Sequence, residues 1–389
     1  MLLHLRSNTL KAALGALALT FATLGSARAM ANEAGAPRGV SAPKKQDRPF
    51  RVGVARMDVA TDLVKPLGVA DTAGWTIVGN LLIGTYGEKW VGARSLSGGR
   101  MQWWLEGQTD VTSPLAPVGS FLMVGYRSGL IAKVEAATGR KLWEASLDSF
   151  TQRPMTLSAG SLLVYTAGQV LYSIDFQTGK TNWLFDAGFP DGLAIRAGVT
   201  PVVHDGKILL GTASGEIVAV SLQSGKLLWR YNPAFNDSKF HDFVGEMVVR
   251  SNQLLVTRYD GLVAAVDLAS SERRLVWQTQ LPSCATSTFR NGRYYVGAVN
   301  GVLHAFDAST GRQVWESQTG SAVTFIAAGE ASVHAVGGNG RLTAIDTIDG
   351  SILWHDDVAG EIAAAPFLHD GTLYLATGMR NIYAWKLQN

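Results

Sequence analysis

The residues most able to do chemistry are few in this sequence and lie far apart. It contains 7 His and a single Cys among 389 residues, and no two histidines have His-x-His or His-x-x-x-His spacing. Metal sites need such clusters, and one cysteine forms neither an internal disulfide nor a thiolate-held cluster. No Gly-x-Ser-x-Gly elbow stands between a strand and a helix. We therefore expect no catalytic residue, no metal site and no cofactor, and we interpret Cys284 as a buried structural thiol.

The acidic residues that recur stand in turns. An acidic residue comes four positions before a turn glycine in four places: Glu135, Asp175, Asp307 and Asp346. Carboxylates at the start of a turn hydrogen-bond nearby backbone amides. We interpret these residues as structural rather than as calcium ligands.

Composition and charge exclude several classes of protein. The chain is 47% hydrophobic and 17% charged and has 43 Gly, which is typical of a packed core with many turns and not of a disordered chain. The formal charge is +3, but residues 1–31 contain Arg6, Lys11 and Arg28 and no acid, so the charges beyond them cancel. A neutral body predicts no nucleic-acid partner.

The first residues have the order of an export signal. Two basic residues precede an apolar run at 12–24, and small residues follow at 26–31. A membrane anchor is the alternative, but the run is shorter than the roughly 20 residues that span a bilayer. We predict a cleavable signal peptide at 1–31, with cleavage after Ala29 or Ala31, and a flexible linker at 32–49. The mature chain is expected in the periplasm, without a transmembrane segment and without a cysteine for lipid attachment.

One phrase ending in tryptophan repeats through the rest of the chain. Clear copies are AKVEAATGRKLW, HAFDASTGRQVW and TAIDTIDGSILW, each with Gly four residues before Trp. The copy at 264–277 departs from the pattern, because SSERR replaces its glycine turn. Seven tryptophans end the copies, at intervals of 40, 40, 46, 48, 38 and 39 residues: Trp103, Trp143, Trp183, Trp229, Trp277, Trp315 and Trp354. Such a period indicates a repeat architecture.

The local signals within each repeat are those of β-strands. Residues 113–147 contain four short apolar runs separated by turn residues, and Asp-Gly or Asn-Gly pairs mark hairpins in other copies. Four antiparallel strands per 40 residues predict an all-β fold, an eight-bladed β-propeller at 50–389. The last unit, 363–389, supplies three strands, so we expect an N-terminal strand near 50–57 to complete that blade and close the ring. We assign the seven tryptophans to docking between blades.

The repeated phrase Asp-x-x-Thr-Gly-x-x-x-Trp resembles the quinoprotein-type (PQQ-like) propeller repeat. Within that superfamily, the length, blade number and leader resemble the BamB family, propeller subunits of the machinery that assembles outer-membrane β-barrels. Leu193-Ala194-Ile195-Arg196 resembles the Leu-x-Leu-Arg segment by which that family contacts the barrel subunit. Asp242 matches the first residue of a family Asp-x-Asp segment, and Val244 stands at the second. The resemblance implies that Leu193, Ile195, Arg196 and Asp242 bind the barrel subunit.

The intervals between the repeated tryptophans indicate the same region, independently of the resemblance. The two longest intervals hold extra residues after Trp183 and after Trp229, and both connect the last strand of one blade to the next blade. Connections of this kind emerge on one face, so we expect the two to lie side by side. Their aromatic and apolar residues, with one Arg, would form a binding patch: Phe185, Phe189, Leu193, Ile195, Arg196, Tyr231, Phe235, Phe240 and Phe243. The alternative is that some of them fold inward and cap the channel.

We therefore predict a non-catalytic periplasmic scaffold of the BamB type that assists assembly of outer-membrane β-barrel proteins. Its expected partners are the barrel subunit and unfolded outer-membrane clients, and it is expected to be a monomer within that complex. One alternative is a small quinoprotein-like oxidoreductase that binds pyrroloquinoline quinone (PQQ). Members of that class carry an adjacent-cysteine disulfide, which a single cysteine cannot form. A further alternative is an exported propeller that binds another envelope partner.

Overall fold

Short strands bounded by glycine-rich turns build the whole described chain. The computed structural model describes residues 52–58 (backbone only), 74–86, 89–97, 99–188, 198–233, 240–360, 362, 364–377 and 381–387. The predicted leader and linker lie outside these residues. Within the described ranges there are eight four-stranded antiparallel sheets, and none of these residues belongs to a helix that could cross a membrane.

The first four complete sheets follow one another along the chain and are numbered as blades 1 to 4. Strand β1 (Val52–Asp58) precedes them. Blade 1 contains β2 (Trp75–Val78), β3 (Leu81–Tyr86), β4 (Trp90–Ser95) and β5 (Met101–Glu106). Blade 2 contains β6 (Ala116–Val118), β7 (Phe121–Gly125), β8 (Leu130–Glu135) and β9 (Lys141–Ser146). Blade 3 contains β10 (Thr156–Ser158), β11 (Ser161–Tyr165), β12 (Val170–Asp175) and β13 (Thr181–Asp186). Blade 4 contains β14 (Val202–His204), β15 (Lys207–Gly211), β16 (Ile217–Ser221) and β17 (Leu227–Tyr231).

The remaining sheets are blades 5 to 8. Blade 5 contains β18 (Val248–Arg250), β19 (Gln253–Thr257), β20 (Leu262–Asp267) and β21 (Leu275–Gln280). Blade 6 contains β22 (Cys284–Arg290), β23 (Arg293–Ala298), β24 (Val302–Asp307) and β25 (Gln313–Gln318). Blade 7 contains β26 (Phe325–Ala328), β27 (Ser332–Val336), β28 (Arg341–Asp346) and β29 (Ile352–Asp357). Blade 8 contains β30 (Phe367–His369), β31 (Thr372–Ala376), β32 (Asn381–Lys386) and β1.

Ring closure occurs in blade 8, as the sequence predicts. Strand β1 pairs antiparallel with β32 and forms the outer edge of that sheet. Eight apolar clusters each join two successive blades, and the cluster around Trp75, Leu82 and Ile382 joins blade 8 to blade 1. The eight-bladed propeller of four-stranded blades is therefore confirmed.

Hairpin turns explain part of the glycine content. Both central residues have positive φ at Asp205-Gly206 (48° and 69°) and at Asn291-Gly292 (47° and 77°). This is the conformation of a type I′ turn, which Asn, Asp and Gly tolerate and whose twist matches the strands that it joins. These dipeptides therefore join the first two strands of blades 4 and 6 as the sequence predicts.

A β-bulge one residue before each repeated tryptophan sets the direction of its side chain. In blade 3, Ser173 pairs with Trp183 and Ile174 with Thr181, so Asn182 is left without an opposing residue. The same irregularity occurs in the outer strand of blades 1 to 7. An extra residue reverses the alternation of side chains beyond it, so the bulge fixes the face on which the tryptophan lies.

Most of these tryptophans pack against a turn of the following blade. A Cβ built at Gly139 would lie 2.6 Å from Cε3 of Trp103, so a side chain there would collide with the indole. The Trp103 Nε1–H also donates to the Ala136 carbonyl at 3.0 Å. The same close approach of glycine to indole occurs in four other pairs: Trp143 with Gly179, Trp183 with Gly225, Trp277 with Gly311, and Trp315 with Gly350.

Two tryptophans have different neighbours. Trp354 stacks on Trp385 of blade 8, with ring centroids 6.5 Å apart and planes inclined by 23°. Trp229 faces the irregular turn of blade 5, where the Arg273 guanidinium lies 4.7 Å from the centre of its ring. The repeat is therefore interrupted between blades 4 and 5 in the structure as well as in the sequence.

Candidate functional site

The region singled out by sequence spacing consists of two connections between blades. We name them the first connector (187–201, between β13 and β14) and the second connector (232–247, between β17 and β18). Because the strands are antiparallel, both begin at the end of the blade that carries the turn between its second and third strands. The Ala187 N–H, for example, donates to the carbonyl of Gln169 in that turn at 3.0 Å.

An arginine from the neighbouring connection holds the far end of the first connector. The Arg153 Nε–H donates to the Gly198 carbonyl at 3.0 Å. Burial lowers the pKa of this guanidinium below its ordinary value. A second contact follows, since the Thr156 hydroxyl donates to the Pro201 carbonyl at 3.4 Å. Blade 3 therefore fixes where the connector enters blade 4.

The near end of the first connector is also anchored. The Gly188 N–H donates to Asp186 Oδ1 at 2.8 Å, which closes a tight turn directly after β13. Arg230 reaches from blade 4, where its Nη1 donates to Glu216 Oε2 at 3.0 Å and its Nη2 to the Ala187 carbonyl at 3.5 Å. Both ends of the connector are thus tied to blades on either side.

The second connector is held against blades 4 and 5 and is buried over part of its length. Asp242 is 1% exposed, and its backbone carbonyl accepts a hydrogen bond from the backbone N–H of Tyr259 at 2.9 Å. Phe243 is equally buried and packs on Gly211, where a Cβ would lie 2.6 Å from the ring. Val244, at the second acidic position of the family segment, is 2% exposed. These side chains face the protein rather than solvent.

A buried charged cluster binds this connector to the turn between β19 and β20. Arg258 and Asp260 have side chains that are 0% and 1% exposed and form an ion pair through two guanidinium nitrogens. His241 Nδ1 lies 3.3 Å from Asp260 Oδ2 and 3.2 Å from Arg258 Nη2. Gly215 of blade 4 leaves room for it, since a Cβ there would lie 2.7 Å from the His241 Cβ. The attraction within a buried pair of this kind is largely offset by the desolvation of both charges, whereas loss of one partner would leave the other buried and uncompensated.

The predicted patch is only partly described by the structure. Five of its members lie outside the described residues: Phe189, Leu193, Ile195, Arg196 and Phe235. Phe185, Tyr231 and Phe240 are half-buried, and the Phe240 ring meets Tyr259 edge-on at 6.1 Å. Phe243 and Asp242 are buried, so at these positions the chain folds inward.

Sequence reasoning missed the arginines that hold these connectors. Arg153 and Arg230 belong to no sequence motif. Both contact backbone carbonyls of the first connector, and no sequence pattern predicts a contact of this kind. Arg258 did carry a signal, because it occupies the start of the turn between the second and third strands. Described residues at that place in the other blades are uncharged: Tyr126, Thr166, Thr212, Ala298, Gly337 and Thr377.

Groups for redox or metal chemistry do not assemble in the described residues. They contain no set of three His, Cys, Asp or Glu side chains that could hold a metal ion. Cys284 is fully buried at the start of β22, and burial raises the pKa of its thiol to about 12. A quinoprotein site with paired cysteines and calcium ligands therefore does not fit these residues.

Comparison with known proteins gives a family and a set of similar folds. The profile of the family described as "Outer membrane protein assembly factor BamB" matches residues 87–317 and 299–388. The protein of that name from Burkholderia pseudomallei (strain K96243) is 31% identical over 103 residues, which are 24% of this chain and 25% of that protein. The matches to curated relatives span about a quarter of their length.

Solved structures agree on the fold. BamB from Moraxella catarrhalis matches with a TM-score of 0.72 at 19% identity and covers 87% of this chain and 100% of that one. The quinohemoprotein alcohol dehydrogenase ADHIIG from Pseudomonas putida HK5 matches with a TM-score of 0.67 at 14% identity, over 89% of this chain and 78% of that one. Both likenesses concern architecture alone, whereas the family profile extends over most of the sequence. The chain belongs to the family of the outer membrane protein assembly factor BamB.

Proposed function

We propose that this protein is a non-catalytic periplasmic scaffold that docks on the barrel subunit of the outer-membrane assembly machinery. The observation that carries the proposal is the family match over residues 87–388. Leu193, Ile195 and Arg196 on the first connector are the contact residues. The protein brings a rigid propeller to the machinery and takes no part in bond making or breaking.

The anchoring of the two connectors supports this assignment. A loop that binds a partner gains affinity when its ends are already ordered, because less conformational entropy is lost on binding. Arg153 and Arg230 hold the ends of the first connector. The Arg258–Asp260 pair holds the second connector beside it. Contact residues on a fixed frame are typical of interfaces that use a few dominant side chains.

Asp242 has an indirect role in this proposal. Its side chain is 1% exposed, so it does not offer a carboxylate to a partner at the surface. It lies where the second connector turns into blade 5, directly after His241 of the charged cluster. Asp242 is therefore a positioning residue, and the direct contacts belong to the first connector.

Affinity capture tests the proposal. The tagged mature protein is purified from gently solubilised envelopes, and the proteins that copurify are identified by mass spectrometry. We expect the barrel subunit to be recovered with the wild-type chain and to be lost with Arg196→Glu. The matched control is Arg312→Glu, which reverses an exposed arginine in the turn between β24 and β25, at the opposite end of the blades.

The outcomes separate the parts of the proposal. Loss of the barrel subunit with Arg196→Glu but not with Arg312→Glu, at equal thermal stability, supports both the partner and the site. Full recovery with Arg196→Glu contradicts the assigned contact residues. Failure of the wild-type chain to recover the barrel subunit, while it remains folded, contradicts the proposed function.

A further inference from the structure

The irregular turn of blade 5 opens the outer part of the junction with blade 4. Seven residues, 268–274, join β20 to β21, whereas five residues, 308–312, join the corresponding strands of blade 6. Arg273 has a positive φ of 53°, the region that glycine occupies in the regular turns. A side chain thus stands where the five regular junctions have a glycine.

The wider turn leaves two hydrogen-bond donors without acceptors. In the regular junction of blades 6 and 7, the Trp315 Nε1–H donates to the Thr347 carbonyl at 3.1 Å. Trp229 Nε1 and Arg273 Nε are buried and have no partner among the described residues. Arg273 Nη1 donates to the Ser270 carbonyl, which holds the guanidinium over the indole. A buried donor without an acceptor destabilises the protein, so this junction gains stability from any acceptor that reaches it.

A cavity of about 420 Å³ lies directly beside these donors. Leu209, Leu268 and Ala269 form its apolar part together with the Trp229 ring. Its polar part comes from turns of blades 4 and 5 and from the strand ends beside them: His204, Asp205, Lys207, Asn252, Ser271 and Arg273. Lys207 Nζ contacts Asp205 Oδ2 at 2.9 Å, and Arg273 adds a second positive charge, whereas Asp205 is the one acid among the described residues that line the cavity. The cavity is therefore positive, rich in donors and larger than a single ion requires.

We infer that this cavity binds an organic carboxylate with a short apolar part. Lys207 provides a charge-assisted contact at the mouth. Arg273 provides the second once its long side chain turns from the indole toward the ligand, which also opens Trp229 Nε1 to the carboxylate. Charge-assisted hydrogen bonds of this kind are the strong ones in proteins. Leu209 and Leu268 receive the apolar part of the ligand.

The site is separate from the proposed docking surface. It is formed by the turns between first and second strands and between third and fourth strands, whereas the connectors emerge at the other end of the blades. The inference therefore stands whether or not the connectors bind the barrel subunit. A carboxylate of this chemistry has two sources, a free small molecule or the C-terminus of a peptide.

Ligand-observed NMR on the full mature protein tests the inference. Valerate is the first probe, and valeramide, of the same shape without the charge, is its control. N-acetyl-Ala-Ala with a free carboxylate, compared with its C-terminal amide, tests the peptide source. We expect saturable binding of valerate and not of valeramide. Binding of the free dipeptide but not of its amide identifies a peptide C-terminus as the source, and binding of valerate alone identifies a free small molecule.

Neighbouring arginines provide matched variants. Arg273→Gly and Lys207→Gln should each weaken valerate binding about tenfold, the effect of losing one charge-assisted hydrogen bond. Arg274→Gln is the control. Arg274 is exposed, its Nε lies 3.8 Å from Asp267 Oδ2, and it does not line the cavity. Equal binding of valerate and valeramide, unchanged binding by both cavity variants, or no saturable binding by the wild-type protein would each overturn the inference.

Discussion

The junction of blades 6 and 7 and the junction of blades 4 and 5 use the same tryptophan position differently. Trp315 is 7% exposed, touches Gly350 and donates its N–H to a carbonyl of the next blade. Trp229 is more exposed, meets a guanidinium instead of a glycine, and has no acceptor for its N–H within the part of the chain that the structure describes. The first junction is close-packed and hydrogen-bonded, and the second is open.

A repeat protein can place a functional site at one of its junctions and keep its fold. Stability in a closed ring is shared among many similar junctions, so one of them can depart from the optimum without loss of the fold. The junction of blades 4 and 5 differs from the regular junctions at both ends of the blades. At one end it has the open turn around Arg273, and at the other the buried Arg258–Asp260 pair beneath the second connector. Departures of this kind are expected at functional sites.

The largest expected effect is the removal of a tryptophan from the close-packed junction. Trp315→Ala should lower the free energy of unfolding by about 3–5 kcal/mol, since it leaves a large cavity and an unpaired carbonyl. Trp229→Ala should cost only about 1–2 kcal/mol, because less apolar area is buried and no hydrogen bond is lost. Urea unfolding of both variants measures the difference. Equal losses would show that the two junctions are energetically alike.

The regular glycine turn is expected to be nearly as sensitive as the tryptophan. Gly350 has a φ of 77°, and an alanine Cβ there would lie 2.7 Å from Cδ2 of Trp315. Gly350→Ala combines the cost of a left-handed backbone with a steric clash and should lower the free energy of unfolding by about 2–4 kcal/mol. Gly119→Ala is a control with a similar φ of 60° and nothing within 4 Å of the added Cβ. A smaller loss at Gly350 than at Gly119 would contradict the packing role of the turn.

A third junction, between blades 7 and 8, adds a pH-dependent element to the comparison. His334 of blade 7 is fully buried, 5.8 Å from the Trp354 ring, and its Nδ1 lies 3.3 Å from the Ala327 carbonyl. Burial lowers the pKa of His334 to about 4. In the unfolded chain it titrates near 6.5, so between these values the unfolded state binds more protons and stability falls as the pH falls.

The pH dependence can be measured within a window that excludes most carboxylates. Between pH 7.5 and pH 5, His334 should reduce the free energy of unfolding by about 2 kcal/mol. His304, whose pKa is also lowered by burial, acts in the same direction, so the wild-type slope contains both contributions. His334→Gln should flatten the slope, because it removes the buried imidazole that differs in proton binding between the folded and unfolded states. An unchanged slope in His334→Gln would refute the assignment.

The sequence allowed the blade number and ring closure to be predicted because their signals are local and repeated. Glycine before Trp103, Trp143 or Trp315 marks a turn of fixed length, and a unit of three strands at the C-terminus requires a fourth from elsewhere. The burial of Asp242 could not be predicted, because the turn at Tyr259, distant in sequence, covers it. The break at 270–274 was visible in the sequence, but the stacking of Arg273 on Trp229 depends on the path of a longer turn.

Replacement of Arg273 by glycine should change the stability of the protein very little. Arg273→Gly places a glycine at a φ of 53° and relieves backbone strain, which should stabilise the fold by up to about 1 kcal/mol. It also removes the guanidinium from the Trp229 ring, a contact worth about 1 kcal/mol between two half-buried side chains. The two changes nearly cancel. The free energy of unfolding, measured by thermal denaturation, should therefore change by no more than about 0.5 kcal/mol. A loss of several kcal/mol would mean that Arg273 stabilises the junction as glycine does elsewhere, and that the open turn is a structural variant rather than a binding site.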